Sequence, residues 1–279
     1  MNDATSSQSS AVATFRALHE SGCFVLPNPW DAGTAVYLEH LGFKALATTS
    51  AGAAFTRGLP DGAVSLDAML AHFREIVAAT ALPVNADFQA GYADEPEGVA
   101  ANVARCIETG VAGLSIEDST GDSAKPLYEF SLAVERVKAA RTAIDAAGVP
   151  VVLTARCEAW LVGYPDPART ARERLVAFAE AGADCLYAPG LREPEEIAAI
   201  VKAVSPQPVN VLAFRANRTL TVSQLADLGV RRISVGSSLA RVAWGAFVRA
   251  ARNIATAGTF EDFADTASSE IDAVFAKRG

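Results

Sequence analysis

The chain has 279 residues, of which 51% are apolar and 20% charged, with a formal net charge of −8. That is enough apolar mass to bury the core of one large α/β domain or two small ones, and the acidic balance without a Lys/Arg run excludes a nucleic-acid groove or an anionic membrane surface as partner. No apolar stretch reaches membrane-spanning length, residues 1–10 (MNDATSSQSS) lack the basic and apolar regions of a signal peptide, and Cys23, Cys106, Cys157 and Cys185 form no C-x-x-C pair. A cytoplasmic protein with reduced thiols and no zinc site is expected.

Residues 1–10 are polar and read as a disordered tail. Apolar, β-branched-rich runs then follow at 24–26, 45–48, 84–86, 113–116, 151–154, 185–188, 209–212 and 233–235. Between them lie segments of helical period, among them 99–108, 133–146, 168–181, 194–204 and 222–228. Gly42, Gly110, Gly148, Gly182 and Gly229 stand where a helix stops and the next strand begins, the position that favours a left-handed C-cap. Strict β/α alternation with buried parallel strands predicts an α/β class. Eight repeats favour a closed (β/α)8 TIM barrel over 11–257 rather than an open sheet, and no G-x-G-x-x-G follows the first strand. After Gly236, residues 238–257 and 260–275 are both helical in pattern. One barrel helix needs less, so 258–279 reads as a C-terminal helical extension and the eighth helix is expected to pack on a partner subunit in a homo-oligomer.

Three segments carry chemistry at predicted strand ends: NADFQAGY (85–92), SIEDS (115–119) and TARCE (154–158). In a barrel that edge is where active sites are built. Asp87 and Glu117 face one another there, as a hard cation such as Mg²⁺ requires. Glu117 and Asp118 are adjacent on a strand, so only one enters the mouth. Arg156 has two readings, a salt bridge to Glu117 or Asp87, or a planar fork for a substrate carboxylate. Cys157 reads as inert packing, and Asp61, in TRGLPDG, as a turn residue.

Absences narrow the chemistry. His19, His40 and His72 all fall early, on predicted helices, which disfavours a histidine base at the mouth, and no lysine sits on a strand for imine catalysis. The segment VGSS (235–238) could hold a phosphate at a helix start.

The ordered set NPWDA (28–32), TSAG (49–52), GLPD (58–61), NAD (85–87) with Gly91-Tyr92, IED (116–118), TAR (154–156), AGAD (181–184) and RISVG (232–236) resembles the isocitrate lyase and phosphoenolpyruvate mutase superfamily over nearly the whole chain. The resemblance implies a (β/α)8 barrel with an exchanged eighth helix, and Mg²⁺ (Mn²⁺ as substitute) held by Asp61, Asp87 and Glu117, with Asn85 a further candidate. It implies a backbone cradle for a substrate carboxylate at Thr49, Ser50 and Ala51, and Arg156 on the substrate's anionic oxygens. The substrate class is a small α-oxo or 2-hydroxy carboxylate that reacts through a metal-stabilised enolate, with a C–C or P–C bond broken or formed. Two departures stand out. Asn85 replaces the Asp frequent there, and 119–130 (STGDSAKPLYEF) lacks the Lys-Lys-Cys-Gly-His signature whose cysteine serves the isocitrate and methylisocitrate lyases as acid. Three readings follow: a phosphoenolpyruvate mutase-like enzyme acting as oxaloacetate decarboxylase, phosphonomutase or lyase; a metal-free phosphate-binding barrel isomerase or synthase using 236–238; and a carboxylate-binding barrel without turnover.

Overall fold

The computed structural model describes residues 2–214, 220–265 and 268–276. Eight parallel strands, β1 Phe24–Leu26, β2 Leu46–Ala47, β3 Val84–Asp87, β4 Gly113–Glu117, β5 Val152–Arg156, β6 Cys185–Tyr187, β7 Val209–Leu212 and β8 Arg232–Ser234, pair in the order β1-β8-β7-β6-β5-β4-β3-β2. The seam between β1 and β2 is drawn together by the Ala47 N–H, which donates to the Pro27 carbonyl at 3.0 Å. Asn28 pins the same seam from its side chain: Nδ2 donates to the Thr48 carbonyl, and Oδ1 accepts from the Val235 and Gly236 amides at 3.0 and 2.8 Å. The result is the expected TIM barrel.

Helices α1 Asn2–Glu20, α2 Ala32–His40, α3 Ser50–Phe55, α4 Leu66–Ala79, α5 Pro96–Ile107, α6 Phe130–Ala147, α7 Pro167–Glu180, α8 Pro194–Val204, α9 Val222–Asp227, α10 Ser238–Ala257 and α11 Ser268–Phe275 surround or extend the barrel. Local chemistry sets their starts. Asp31 and Thr34 form a reciprocal capping box at α2, Thr221 and Gln224 one at α9, and proline opens α5, α7 and α8. All five glycines expected as C-caps have positive φ. In α5 the buried residues are Val99, Val103, Cys106 and Ile107, one stripe at helical spacing worth about 1.5–3 kcal/mol per large side chain.

The N-terminus corrects an expectation. Residues 1–10 are not a disordered tail: the chain is helical from Asn2, and Gln8 Nε2 donates to the Ile107 and Val111 carbonyls at 2.8 and 3.1 Å. Further along α1, Phe15 is fully buried beneath the barrel and Arg16 pairs with Asp184 at 3.0 Å. The bottom is so tight that a Cβ on Gly113 would lie 2.7 Å from the Phe15 ring and 2.8 Å from Asn85 Oδ1.

At the other end of the chain, residues 260–275 are not one helix. A 3-10 turn at Glu261–Asp265 precedes α11, which docks on α2 through Tyr37 and Glu270. Helix α10 buries only Ala240, leaving Val242, Trp244, Phe247 and Val248 exposed. Among the described residues no helix is long and apolar enough to cross a membrane.

Candidate active site

The carboxyl ends of β3, β4 and β5 bring Asp87, Glu117 and Arg156 together, with Glu117 and Arg156 in register. Arg156 is the hub. Its Nη1 meets Asp87 Oδ1 at 2.9 Å and its Nη2 meets Glu117 Oε2 at 3.2 Å. A third acid, Glu158, accepts from Nε at 2.9 Å and from Nη2 at 2.8 Å through one oxygen, Oε1. The guanidinium also lies 5.0 Å from the centre of the Tyr187 ring. Burial works against the Arg156 charge, but Glu158, Glu117 and Asp87 outweigh it and push its pKa upward.

Asp87 is held at both ends. Its Oδ2 accepts from the Ser50 amide at 2.9 Å and its own amide donates to Thr48 Oγ1 at 2.9 Å. The Ser50 N–H expected to cradle a substrate carboxylate is thus engaged with Asp87. Thr49 caps α3, its hydroxyl accepting from Gly52, and Ala51 lines the cavity beside it. Asp61 stands at the mouth, where partial withdrawal of its carboxyl from water raises the pKa, the Ser50 hydroxyl lowers it and Asp87 raises it. Burial drives Glu117 furthest: despite the pull of Arg156, its pKa is pushed up to about 8.

As the pleat requires, Asp118 turns away from the mouth. Its Oδ1 accepts from the Glu158 amide at 2.8 Å, and its Oδ2 pairs with buried Arg174 at 3.1 Å. Arg174 also donates to the Tyr128 carbonyl, which fixes the start of α6. A chain of contacts, Arg174 to Asp118 to Glu158 to Arg156, therefore runs from α7 into the mouth. Cys157 is buried and its thiol pKa raised by that burial, consistent with packing.

Beside them lies a cavity of about 170 Å³ lined by Asp61, Asp87, Arg156, Tyr187, Asn210 and Arg232, among others. Asn85 stands one layer below the metal candidates, with Oδ1 over Gly113 and no hydrogen-bond donor. The donor chemistry suits a hard divalent cation, since Asp87, Glu117 and Glu158 converge on one guanidinium and leave an excess of carboxylate oxygen. Among the described residues, however, no three of His, Cys, Asp and Glu form a preassembled metal cluster. A cation must compete with Arg156 for Asp87 and Glu117. At 235–238, two amides that a phosphate would use are already taken by Asn28.

A family model described as Phosphoenolpyruvate phosphomutase matches residues 15–255. The chain belongs to that family. It is therefore an enzyme of the isocitrate lyase and phosphoenolpyruvate mutase superfamily, whose members include lyases and mutases. A crystal structure from Burkholderia cenocepacia, provisionally assigned as a lyase/mutase, superposes with a TM-score of 0.92 at 47% identity and covers 97% of each chain. The oxaloacetate decarboxylase of Paraburkholderia xenovorans is 31% identical over 79% of this chain and 73% of its own. The 2-methylisocitrate lyase of Halalkalibacterium halodurans is 28% identical over 91% of this chain and 85% of its own.

Sequence reasoning missed Glu158, Arg174, Tyr187 and Arg232. For Glu158 a signal existed: it lies two residues past Arg156, on the same face by the strand's period of two.

Proposed function

We propose that this family member is a Mg²⁺-dependent enzyme, with Mn²⁺ as substitute, that acts on a small α-oxo or 2-hydroxy carboxylate through an enolate. Oxaloacetate-type decarboxylation is the leading reaction, with cleavage or formation of other C–C or P–C bonds in the same class. The observation that carries this reading is Arg156 held by Glu158 while pairing with Asp87 and Glu117, beside a cavity that Asp61, Asp87 and Arg156 line. Asp61, Asp87 and Glu117 would hold the cation, which when bound supplies positive charge against the negative charge that an enolate develops.

The chain's own groups do the rest. Arg156 binds the substrate's anionic oxygens as a fork, and Glu158 fixes the plane of that fork. Backbone around Thr49, Ser50 and Ala51 would receive the substrate carboxylate, with the Ser50 amide free for it only where Asp87 turns away from that amide. Burial raises the Glu117 pKa against the pull of Arg156, so a cation held there would have to compete with a proton as well as with the guanidinium. The hairpin after β4 joins Ser119 to Leu127, and Thr120 N–H donates to the Pro126 carbonyl. It stands where it can close over the mouth and exclude water, but it offers no cysteine acid.

A steady-state panel tests this reading. Oxaloacetate or a phosphono-oxo-acid should turn over with Mg²⁺, and isocitrate and 2-methylisocitrate should be cleaved negligibly. Efficient cleavage of either isocitrate would overturn the branch assignment. The exposed apolar face of α10 supports a homo-oligomer built on that helix, in the cytosol, where the four unpaired cysteines stay reduced. Sedimentation of Val242→Glu should show dissociation to monomers.

A further inference from the structure

Beneath the layer of Asp87, Glu117 and Arg156, the barrel interior is polar. Asn85, Ser115, Thr154, Asn210 and Arg232 occupy it, each at most 5% exposed. Barrels ordinarily fill such a layer with branched apolar side chains. Here the layer contains a guanidinium whose partners are all neutral. Arg232 Nε donates to Asn210 Oδ1 at 3.0 Å and Nη2 to Thr154 Oγ1 at 2.9 Å. Its Nη1 lies 3.3 Å from His19 Nε2, and His19 Nδ1 lies 2.7 Å from the Phe15 carbonyl. That carbonyl can only accept, so Nδ1 carries the proton and Nε2 presents its lone pair to Arg232.

An arginine does not shed its charge by losing a proton, and burial without a counter-charge is costly. Arg156 meets its cost with three carboxylates. No carboxylate among the described residues lies within ion-pair distance of Arg232. Yet Arg232 is not sealed off: with Asn85, Ser115, Asn210 and Ser234 it lines the cavity that Asp61, Asp87 and Arg156 line higher up.

We propose that Arg232 is the floor of a second anion subsite, which takes the distal carboxylate of a dianionic substrate whose oxo- or hydroxy-acid end lies at Thr49–Ala51 and Arg156. Asn210 and Thr154 hold the guanidinium in place, and neutral His19 supports it from below. This inference rests on the reading of the upper site given above and adds the residue that selects a two-headed acid over a one-headed one.

Calorimetry with Mg²⁺ and three stable ligands separates the two layers: oxalate, which spans only the upper site, lactate, a 2-hydroxy monoacid, and malate, a 2-hydroxy diacid. Wild type should bind malate at least about tenfold more tightly than lactate. Arg232→Met should lose that preference while oxalate and lactate affinities stay within about twofold, and Arg232→Lys should keep most of it. A malate preference below twofold in wild type overturns the inference without any variant, as does an unchanged preference in Arg232→Met. Loss of all three ligands together in a folded Arg232→Met would show a purely structural role. If wild type binds no oxalate with Mg²⁺, the upper-site reading fails and the subsite falls with it. Oxalate binding without a malate preference removes the subsite alone.

Discussion

Glu158 Oε1 accepts from both Nε and Nη2 of Arg156, at 2.9 and 2.8 Å, and is itself held through its backbone by Asp118. One oxygen therefore fixes the rotation of the guanidinium about its stem, while Asp87 and Glu117 are left to answer a cation or substrate. Glu158→Gln keeps an acceptor and the volume but removes the charge. It should lower kcat/KM by about 10–100-fold, because small misplacements of a substrate clamp are costly. Steady-state kinetics beside a thermal melt would show whether that loss comes with near-normal stability. An unchanged kcat/KM would leave Glu158 as packing.

Arg156→Lys tests the fork against the point charge. A lysine cannot reach three carboxylates as the fork does, so metal-free protein should lose about 1–3 kcal/mol. Oxalate binding with Mg²⁺ should weaken more than tenfold. A stability loss with unchanged oxalate affinity would mean that Arg156 serves the scaffold alone.

Glu117 gives a pH signature in the metal-free protein. Burial raises its folded pKa from the ordinary 4.5 to about 8, so between those values the folded state holds a proton that the unfolded state has lost. Stability should therefore fall as pH rises from about 4.5 through about 8, by at most about 1.4 kcal/mol per pH unit. Chemical denaturation of Glu117→Gln in the same buffers should show a flatter profile. Equal slopes in the two proteins would put the proton elsewhere.

His19 gives the opposite sign. Its folded pKa is lowered from 6.5 to about 3, chiefly by burial and next by Arg232. The stability tied to neutral His19 is fully present above about 6.5 and is lost as pH falls toward 3, when the unfolded chain binds a proton that the folded chain refuses. His19→Gln should lose that acid limb in denaturation curves between pH 6.5 and 4. Retention of the full acid limb in the variant would contradict the assignment.

The barrel was legible because its signals are local. Buried parallel strands are β-branched runs such as 151–154, and glycines such as Gly182 and Gly229 must take positive φ where a helix hands over to a strand. The N-terminal helix was not, because a run of serines is a poor helix former alone. Docking of Gln8 and Phe15 under the barrel orders it. Arg174 was hidden for a related reason, since among Arg169, Arg172 and Glu173 it reads as one charge on a solvated face. Only the fold aims it at Asp118. Asp87, Glu117 and Arg156 could be placed at strand ends from the sequence, but their mutual pairing depends on register across three strands. Arg232, at the start of a strand, carries no sign in the sequence that it points inward.

The most direct measurement is a calorimetric titration of oxalate into wild type and Asp87→Ala, each with and without Mg²⁺. One saturable site per chain should appear only in wild type with the metal, and Asp87→Ala should stay folded and silent. Oxalate binding that persists without metal, or at full strength in Asp87→Ala, would contradict the account.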